Sequence, residues 1–431
     1  MRDSGIIRDD LPTQAERPPD DRAFKLLWYG QTVSALGTTV SRLALPLAAI
    51  VVLHSTTFQV SLLTAAAWIP WLLFGLPVGA WVDRLPRRSI LLVCDLASAV
   101  LFASIPLAAA LGVLSFEQMV VVALLAGFLS VFFQTAYHVY LADVVTQELL
   151  LNANAKLQGS EAVAQVAGPS LAGLIASLIG ATAGVLLDAL TFVFSFVLTR
   201  RISDLGRPTT DATGKGVPLR RQIAVGVHFV ASDPYLRVLT IYGSLTNLAL
   251  IGYQSIVVTF LVRTVRLGPA LVGVVLAAAS VGGVLGAVLA QRVARSVGTS
   301  RALIFSALCT APFGLLAALA GGGFRLVLPM LGVFVVAAGI VCSNVVKDSF
   351  RQTYCPPEML GRVLVTMQFL NYGSIPLGAV LAGGVATVLG LRTAVALAMG
   401  VLLLAALTLL LGPLRHTRDL PTRSAAFGVS P

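Results

Sequence analysis

Glu161 is an ionisable residue inside an apolar stretch that covers residues 152–178. It belongs to a series of polar and small residues spaced four, three, four, three and four positions apart, which places them on one face of an α-helix. The series comprises Asn154, Gln158, Glu161, Gln165, Gly168 and Ala172. Because burial favours the protonated form of a carboxyl group, Glu161 is predicted to bind a proton or to recognise a cation. A structural hydrogen-bonding role is the alternative.

Three further charged residues, Arg42, Asp95 and Asp188, also lie inside apolar stretches. A charge at the centre of a bilayer costs roughly 2.5–3.5 kcal/mol on insertion scales, so each needs a partner or a function. Arg42 and Asp188 are predicted to lie at similar depths in the outer half of the membrane. They could form a buried ion pair, or Arg42 could face a cavity and bind an anionic substrate. Asp95 is expected to pair with arginines of a nearby loop.

Polar residues from three other apolar stretches are expected to line the same cavity. They are Gln31, Asn247, Gln254, Gln368 and Asn371. His138 follows Ser130 and Gln134 at intervals of one helical turn and could relay protons, the alternative being a buried, hydrogen-bonded histidine. Lys347 and Asp348 are expected to anchor a loop.

The composition indicates whether the segments that carry these residues lie in water or in a lipid bilayer. Hydrophobic residues make up 57% of the 431 residues and charged residues 11%, whereas a soluble domain has about 45–50% and about 25%. A spanning helix needs about 20 mainly apolar residues. The sequence therefore predicts an all-α integral membrane protein with twelve transmembrane helices. The predicted spans are 26–52, 57–82, 89–111, 117–141, 152–178, 182–199, 238–261, 269–291, 301–320, 326–346, 361–388 and 393–412.

The distribution of basic residues predicts the orientation. Of the 30 Lys and Arg residues, 25 lie in segments on the side of the two termini, four lie on the opposite side, and Arg42 lies within a span. Cytoplasmic loops carry this excess of positive charge. Both termini are therefore predicted to be cytoplasmic in a multi-pass protein of the plasma (inner) membrane. The net charge of +11 is explained by topology, and no nucleic-acid partner is expected.

A polar linker predicts how the chain is divided. The predicted organisation is a cytoplasmic tail at 1–23, a six-helix half at 24–200, a linker at 201–237, a second half at 238–412 and a tail at 413–431. Segment 217–231 of the linker could form a surface helix. The sequences that follow the second and eighth spans are weakly similar, which indicates two pseudo-symmetric halves, the construction of many secondary transporters.

Enzyme signatures are missing from the sequence. It contains no G-x-x-x-x-G-K-[ST], H-E-x-x-H or G-x-S-x-G motif, so we expect neither enzymatic activity nor a cofactor. The four cysteines are scattered, which argues against a metal site or a disulfide framework. A non-transporting membrane receptor or scaffold is a further possibility. Such a protein would need a folded soluble domain, and the linker is too short for one.

The loop after the second span carries the first family resemblance. Gly79, Asp83, Arg84, Arg87 and Arg88 follow the pattern G-x-x-x-D-R-x-G-R-R of the major facilitator superfamily, with Pro86 in place of the second glycine. The pattern resembles a gating motif in which Arg87 or Arg88 would pair with Asp143 while Asp83 faces the start of the eleventh span. The alternative is that these arginines only satisfy the positive-inside rule.

The fifth span carries the second resemblance. Gly168, Pro169 and Gly173 lie in Ala164-Gln-Val-Ala-Gly-Pro-Ser-Leu-Ala-Gly173, which is similar to the antiporter motif G-x-x-x-G-P-x-x-G-G with alanine at two of the glycine positions. Small residues allow close helix approach, and proline removes one backbone hydrogen bond. The motif could form a leak-tight seam between moving helices, or it could serve plain packing.

Together with further short stretches from the first to the eleventh span, these motifs most closely resemble the drug:proton antiporter-3 branch, which includes macrolide and enterobactin exporters. The resemblance implies a secondary transporter, namely a proton-coupled exporter of a small lipophilic organic compound that works by alternating access. An importer or uniporter of the same fold is the alternative. The expected partners are a small-molecule substrate, protons and the lipid bilayer. The oligomeric state stays open, with a monomer plausible.

Overall fold

The computed structural model describes residues 21–75, 77–82, 84–145, 147–202, 227–355 and 357–421. Within these residues, twelve helices are long and apolar enough to cross a membrane, which confirms the predicted number and order. They are α1 Asp21–Val51, α2 Thr57–Phe74, α3 Arg87–Ala110, α4 Phe116–Val144, α5 Gln147–Leu178, α6 Ala181–Arg200, α7 Pro234–Thr259, α8 Pro269–Val297, α9 Thr299–Thr310, α10 Val327–Tyr354, α11 Pro357–Leu389 and α12 Leu391–Thr408. A π-helical turn, Phe260–Thr264, extends α7, and a 3₁₀ helix, Ala311–Leu319, extends α9.

The second predicted span, 57–82, is two elements in the structure. The helix α2 ends at Phe74, and a separate short helix, Pro77–Val82, follows it. Pro77 explains the division, because proline has no backbone N–H to continue the hydrogen-bond ladder of the preceding turn. Of the predicted linker helix at 217–231, only residues 227–231 lie within the described part of the chain, and they are helical.

Local caps determine where two site-bearing helices begin. Thr56 and Gln59 form a reciprocal capping box at the start of α2, with the Thr56 N–H donating to Gln59 Oε1 at 2.7 Å and the Gln59 N–H donating to Thr56 Oγ1 at 3.3 Å. Asp233 accepts from the N–H groups of Tyr235 and Leu236 at the start of α7. Such caps satisfy N–H groups that have no partner within the helix.

The helix pairing repeats between the two halves of the chain. In the first half α1 packs on α5 and α6, and α2 packs on α4; in the second half α7 packs on α11 and α12, and α8 packs on α10. Each pairing of the second half is the counterpart, six helices later, of one in the first half. This repetition is what two related six-helix halves would produce.

The halves contact each other mainly through two helix pairs, α2 with α11 and α5 with α8. Since twelve helices return the chain to its starting side, one face of the protein carries both termini, and we call it the terminal side. Close contacts occur at the far ends of these pairs, where Gly383 of α11 lies against Ser61 of α2. Arg263, beyond α7, donates to the Ser55 carbonyl at 2.5 Å in the loop between α1 and α2. The halves are therefore closed on the side opposite the termini.

Candidate functional site

The polar face predicted on α5 lies between two packed faces of that helix. Gly168 packs against Thr39 of α1, whereas Gly173 packs against Pro269 and Gly273 of α8. At about 100° per residue, the polar series falls between these two contacts, and Val163, which is 68% exposed, lies on the reverse. Polar side chains at membrane depth face a bundle interior or a water-filled cavity. The stripe therefore faces the space between the halves.

Exposure along the stripe indicates where this cavity ends. Gln158, Glu161 and Gln165 are exposed, whereas Gly168 and Ala172, nearer the closed side, are buried. A cavity that reaches the first three residues and stops before the last two is open towards the terminal side. The structure thus brings the predicted polar residues of α5 into one wet surface.

Glu161 has few direct contacts on this surface. Gln165 Nε2 donates to Glu161 Oε1 at 3.5 Å. The buried ring of Tyr137 on α4 lies within electrostatic range of the carboxylate. Binding of a proton or of a cation by Glu161 stays a prediction.

The other predicted cavity residues divide into two groups. Asn247 and Asn371 meet between α7 and α11, where Asn247 Nδ2 donates to the Asn371 carbonyl at 3.4 Å and Ser244 Oγ donates to Asn371 Oδ1 at 3.2 Å. His138, Gln254 and Gln368 are exposed, and Gln31 is half-buried. Within the described part of the chain, no hydrogen bond joins any two of these four residues.

His138 and its neighbours on α4 form a short polar edge. His138 is exposed, so the alternative of a buried, hydrogen-bonded histidine is wrong. One turn before it, Gln134 Nε2 donates to Ser130 Oγ at 3.5 Å. The ring of His138 meets the ring of Tyr137 edge-on at 6.1 Å. A proton relay through His138 stays a prediction.

Two expectations about the charged residues within the spanning helices of the first half differ from the structure. No direct ion pair joins Arg42 and Asp188, because the ion pairs among the described residues are those of Arg87 with Asp143 and of Arg351 with Asp348. Arg42 is exposed, while Asp188 is fully buried. The expectation that Asp95 pairs with loop arginines is wrong.

Asp95 instead accepts a hydrogen bond from Ser195 Oγ of α6 at 2.8 Å. It is 1% exposed and lies inside the contact between α3 and α6. The hydroxyl satisfies Oδ2, whereas Asp95 Oδ1 is buried and accepts no hydrogen bond from the described residues.

The loop motif is built around one ion pair. Arg87 Nη1 lies 2.5 Å from Asp143 Oδ2 and joins the start of α3 to the end of α4. Arg88 instead donates to the carbonyl oxygens of Thr199 and Arg200 at the end of α6, where a cation is favoured by the helix dipole. Asp83 lies outside the described residues, so its predicted contact stays a prediction.

The remaining residues of this motif have little contact. Arg84 is exposed, and a side-chain atom added at Gly79 would meet nothing within 4 Å. Among the described residues of this motif, Arg87 and Arg88 therefore make the contacts with other helices.

An aromatic cluster in the contact between the halves was missed by the sequence reasoning. Trp68 and Trp71 of α2 each lie 5.7 Å, centroid to centroid, from the ring of Tyr372 on α11, and 6.2 Å from each other. Tyr372 directly follows Asn371 and is half-buried. The available signal was the spacing of two tryptophans by three residues, which puts both on one helix face.

Lys347 was expected to anchor a loop, but in the structure it is a buried residue within α10. It is 8% exposed, and its Nζ lies 5.6 Å from the ring centroid of Tyr242 on α7. The neighbouring Asp348 is exposed and pairs with Arg351 one turn later. A cation over an aromatic face is stabilised by the ring quadrupole, which explains how the lysine is accommodated.

A comparison with known families decides what kind of protein this is. A family model described as a transmembrane secretion effector, a group within the major facilitator superfamily, matches residues 14–427. The chain belongs to this family. It is therefore a transporter and not an enzyme, and the predicted superfamily and branch are confirmed.

Two curated relatives of this family member are exporters. The multidrug efflux pump Tap of Mycolicibacterium fortuitum is 29% identical over 403 residues, which cover 91% of this chain and 96% of Tap. The enterobactin exporter EntS of Escherichia coli O6:K15:H31 (strain 536 / UPEC) is 26% identical over 417 residues, which cover 94% and 96% of the two chains. The similarity therefore spans both halves.

A bacterial homologue of the iron transporter ferroportin has been solved in two conformational states, and both structures match this chain. The inward-facing structure matches with a TM-score of 0.69 at 16% identity and covers 90% of this chain and 98% of that chain. The outward-facing structure covers the same shares and matches with a TM-score of 0.57. Both states therefore share the fold of this chain.

Proposed function

We propose that this transporter exports a small lipophilic organic compound, including positively charged members of that class, in exchange for protons. The terminal side of the protein would be the cytoplasm, and the membrane would be the plasma membrane. The observation that carries the proposal is the exposed carboxylate of Glu161 on the same helix face as the exposed amides of Gln158 and Gln165. The cluster of Trp68, Trp71 and Tyr372 adds aromatic surface where α2 and α11 of the two halves meet.

The chemistry of the cavity fits an amphipathic organic molecule. Aromatic faces bind apolar surface and attract cations, and a solvated carboxylate attracts a positive charge without requiring burial of an ion pair. The exposed amides Gln158, Gln165 and Gln368 could donate and accept hydrogen bonds in several geometries. Such a surface would tolerate compounds of different shapes, as the name multidrug efflux pump implies for the relative Tap.

The direction of transport is supported by the relatives and by the basic loops. Both relatives described above are named as exporters. The excess of Lys and Arg on the terminal side is that of cytoplasmic loops, so the cavity of the present state would open to the cytoplasm. A substrate entering from there would leave on the opposite side after the two halves rotate relative to each other.

Substrate-dependent proton movement in inside-out membrane vesicles tests the proposal. An interior-acid gradient is imposed, and a pH-sensitive dye reports its collapse when a panel of antibiotics, dyes and siderophores is added. We expect partial collapse with at least one compound. In Glu161→Gln, the response to cationic compounds should fall by about tenfold, the equivalent of ~1.4 kcal/mol, while the response to neutral compounds persists.

Glu117→Gln is the matched control, because Glu117 is an exposed carboxylate in the first turn of α4, at the closed side and away from the polar face of α5. It should respond like the wild type. Equal loss in both variants, or no loss in Glu161→Gln, would remove Glu161 from substrate recognition. A wild-type protein that exchanges substrate without moving protons would overturn proton coupling.

A further inference from the structure

Asp188 occupies a sealed position between α6 and α1. It is 0% exposed, and its side chain packs against Gly37 of α1. A methyl group added at Gly37 would lie 2.7 Å from Asp188 Oδ1 and 2.1 Å from Thr191 Oγ1. The carboxyl group therefore fills space that only a glycine on the facing helix leaves free.

The immediate partners of this carboxyl group are uncharged. Thr191 Oγ1 lies 3.4 Å from Asp188 Oδ1 and also donates to the Asp188 carbonyl at 2.7 Å. Thr38 and Ser41 border the carboxyl group from α1. Asp188 Oδ2 is buried and has no hydrogen-bond partner among the described residues. Burial therefore withdraws this carboxyl group from water and leaves it beside hydroxyl groups.

Arg42 is the charged group that faces Asp188 from α1, and it follows Ser41 directly. From α3, the titratable groups are Cys94 and Asp95, which lie near Ser195, two helical turns along α6 from Asp188. The segment of α5 from 168 to 178 contains no titratable residue. Among the described residues, Arg42 is thus the charged group that acts on the Asp188 carboxyl group, alongside the hydroxyl groups of Thr38, Ser41 and Thr191.

We infer that Asp188 carries the coupling proton and that Arg42 is its switching partner. This inference rests on the proposed function, because it assumes that transport is coupled to protons. Ionised Asp188 attracts the Arg42 guanidinium, whereas protonated Asp188 lets Arg42 return to the cavity. The proton passes from water on the side opposite the termini to a carboxyl oxygen of Asp188, and later from that oxygen to water on the terminal side.

The arrangement of the present structure fits one step of this cycle. Arg42 is exposed and not paired with Asp188, and the halves are closed on the side opposite the termini. This is the proton-loaded form before release to the terminal side. Glu161, which is exposed, and Asp188, which is buried, then have separate tasks, cation recognition and proton carriage.

Two assays on one preparation of reconstituted transporter separate coupling from transport. The first measures substrate accumulation driven by an imposed proton gradient, and the second measures substrate counterflow without a gradient. We expect Asp188→Asn to lose at least tenfold of the driven accumulation while keeping counterflow within about twofold, and its counterflow should no longer depend on pH. Asp95→Asn, a variant of an equally buried carboxylate, should retain both activities.

Arg42→Gln and Arg42→Lys keep the inference testable if Asp188→Asn does not fold. Arg42→Gln should shift the pH dependence of driven accumulation by at least one pH unit, and Arg42→Lys, which restores the positive charge, should return it towards the wild type. Driven accumulation that persists in Asp188→Asn, or an unchanged pH profile in Arg42→Gln, would overturn the inference but leave the proposed function intact. Absence of proton-driven accumulation in the wild type would overturn both.

Discussion

The backbones of Gly173 in α5 and Gly273 in α8 lie in direct contact across the two halves. A methyl group added at Gly173 would lie 3.1 Å from Gly273 Cα and 2.5 Å from the Pro269 carbonyl oxygen, and one added at Gly273 would lie 2.3 Å from the Pro169 carbonyl oxygen. The small residues of the fifth span therefore serve an interface that must open during transport. This placement supports the proposal that the motif forms a seam between moving helices.

Gly173→Leu should therefore favour the state that is open on the side opposite the termini. Overpacking a tight contact costs about 1–3 kcal/mol, which corresponds to a population shift of roughly tenfold or more. The measurement is the rate at which a water-soluble maleimide labels Ser61→Cys in a chain whose native cysteines are replaced, because Ser61 is fully buried against Gly383 on the closed side. The labelling rate should rise.

Gly159→Leu is the control for this substitution, because the same helix offers open space at Gly159. It should leave the labelling rate of Ser61→Cys unchanged. An unchanged rate in Gly173→Leu would show that the seam tolerates a side chain, and the gating interpretation of the span-five motif would then be wrong.

The ion pair of Arg87 with Asp143 should contribute to gating on the terminal side. The Arg87 side chain is 9% exposed and that of Asp143 is 34% exposed, so solvent screens the pair only in part. Breaking it with Arg87→Glu or Asp143→Arg should reduce transport several-fold, since exposed pairs contribute up to about 1 kcal/mol and more buried ones exceed that. Substrate efflux at equal surface expression is the readout.

The double charge exchange of Arg87 and Asp143 should recover a large part of this activity. Arg84→Gln, which removes an exposed charge of the same motif, should have little effect on efflux. If both single variants transport at the wild-type rate, the arginines serve topology alone.

The cluster of Trp68, Trp71 and Tyr372 should contribute to affinity for lipophilic substrates. Trp68→Ala removes one aromatic face at the contact of α2 and α11, and an aromatic pair contributes about 0.5–1.5 kcal/mol beyond burial. We expect the KM for aromatic or cationic compounds to rise about three- to tenfold, with a smaller effect on the maximal rate.

Trp81→Ala provides the matched comparison for Trp68→Ala, because Trp81 stacks on Phe132 at 5.9 Å outside the cluster. Its KM should stay near that of the wild type. A rise of the same size in both variants would indicate a general loss of packing and would remove the cluster from the binding surface.

Cys355, immediately after α10, should react slowly with maleimide at neutral pH. Burial, and to a lesser degree the nearby charge of Asp233, raises the pKa of this thiol to about 11, against the opposing influence of Arg351. A raised pKa leaves less thiolate, which is the reactive form. The labelling rate should therefore rise about tenfold per pH unit up to about pH 11.

A variant that keeps Cys355 as its single cysteine is suited to this measurement. For comparison, a variant without any native cysteine carries Ser296→Cys, which supplies one exposed thiol on α8. The exposed thiol should react faster and approach its maximal rate at a lower pH. Equal rates at pH 7 would show that Cys355 is accessible and ionises normally.

Several features of the protein followed from local sequence. The twelve helices were predictable because a bilayer requires each crossing segment to satisfy its own backbone hydrogen bonds, so length and hydropathy suffice. The polar face of α5 was predictable because the helical period alone aligns Gln158, Glu161 and Gln165. The ion pair of Arg87 with Asp143 was anticipated through a family motif.

Partners far apart in the chain were decided by the tertiary structure. Ser195 satisfies Asp95 across 100 positions, Tyr372 reaches two tryptophans of the other half, and Asp188 lies against Gly37 while Arg42 stays exposed. In lipid, apolar side chains give little preference for one neighbouring helix over another. Steric fit between small and large residues on different helices therefore selects the neighbours, and that fit exists only once the helices have assembled.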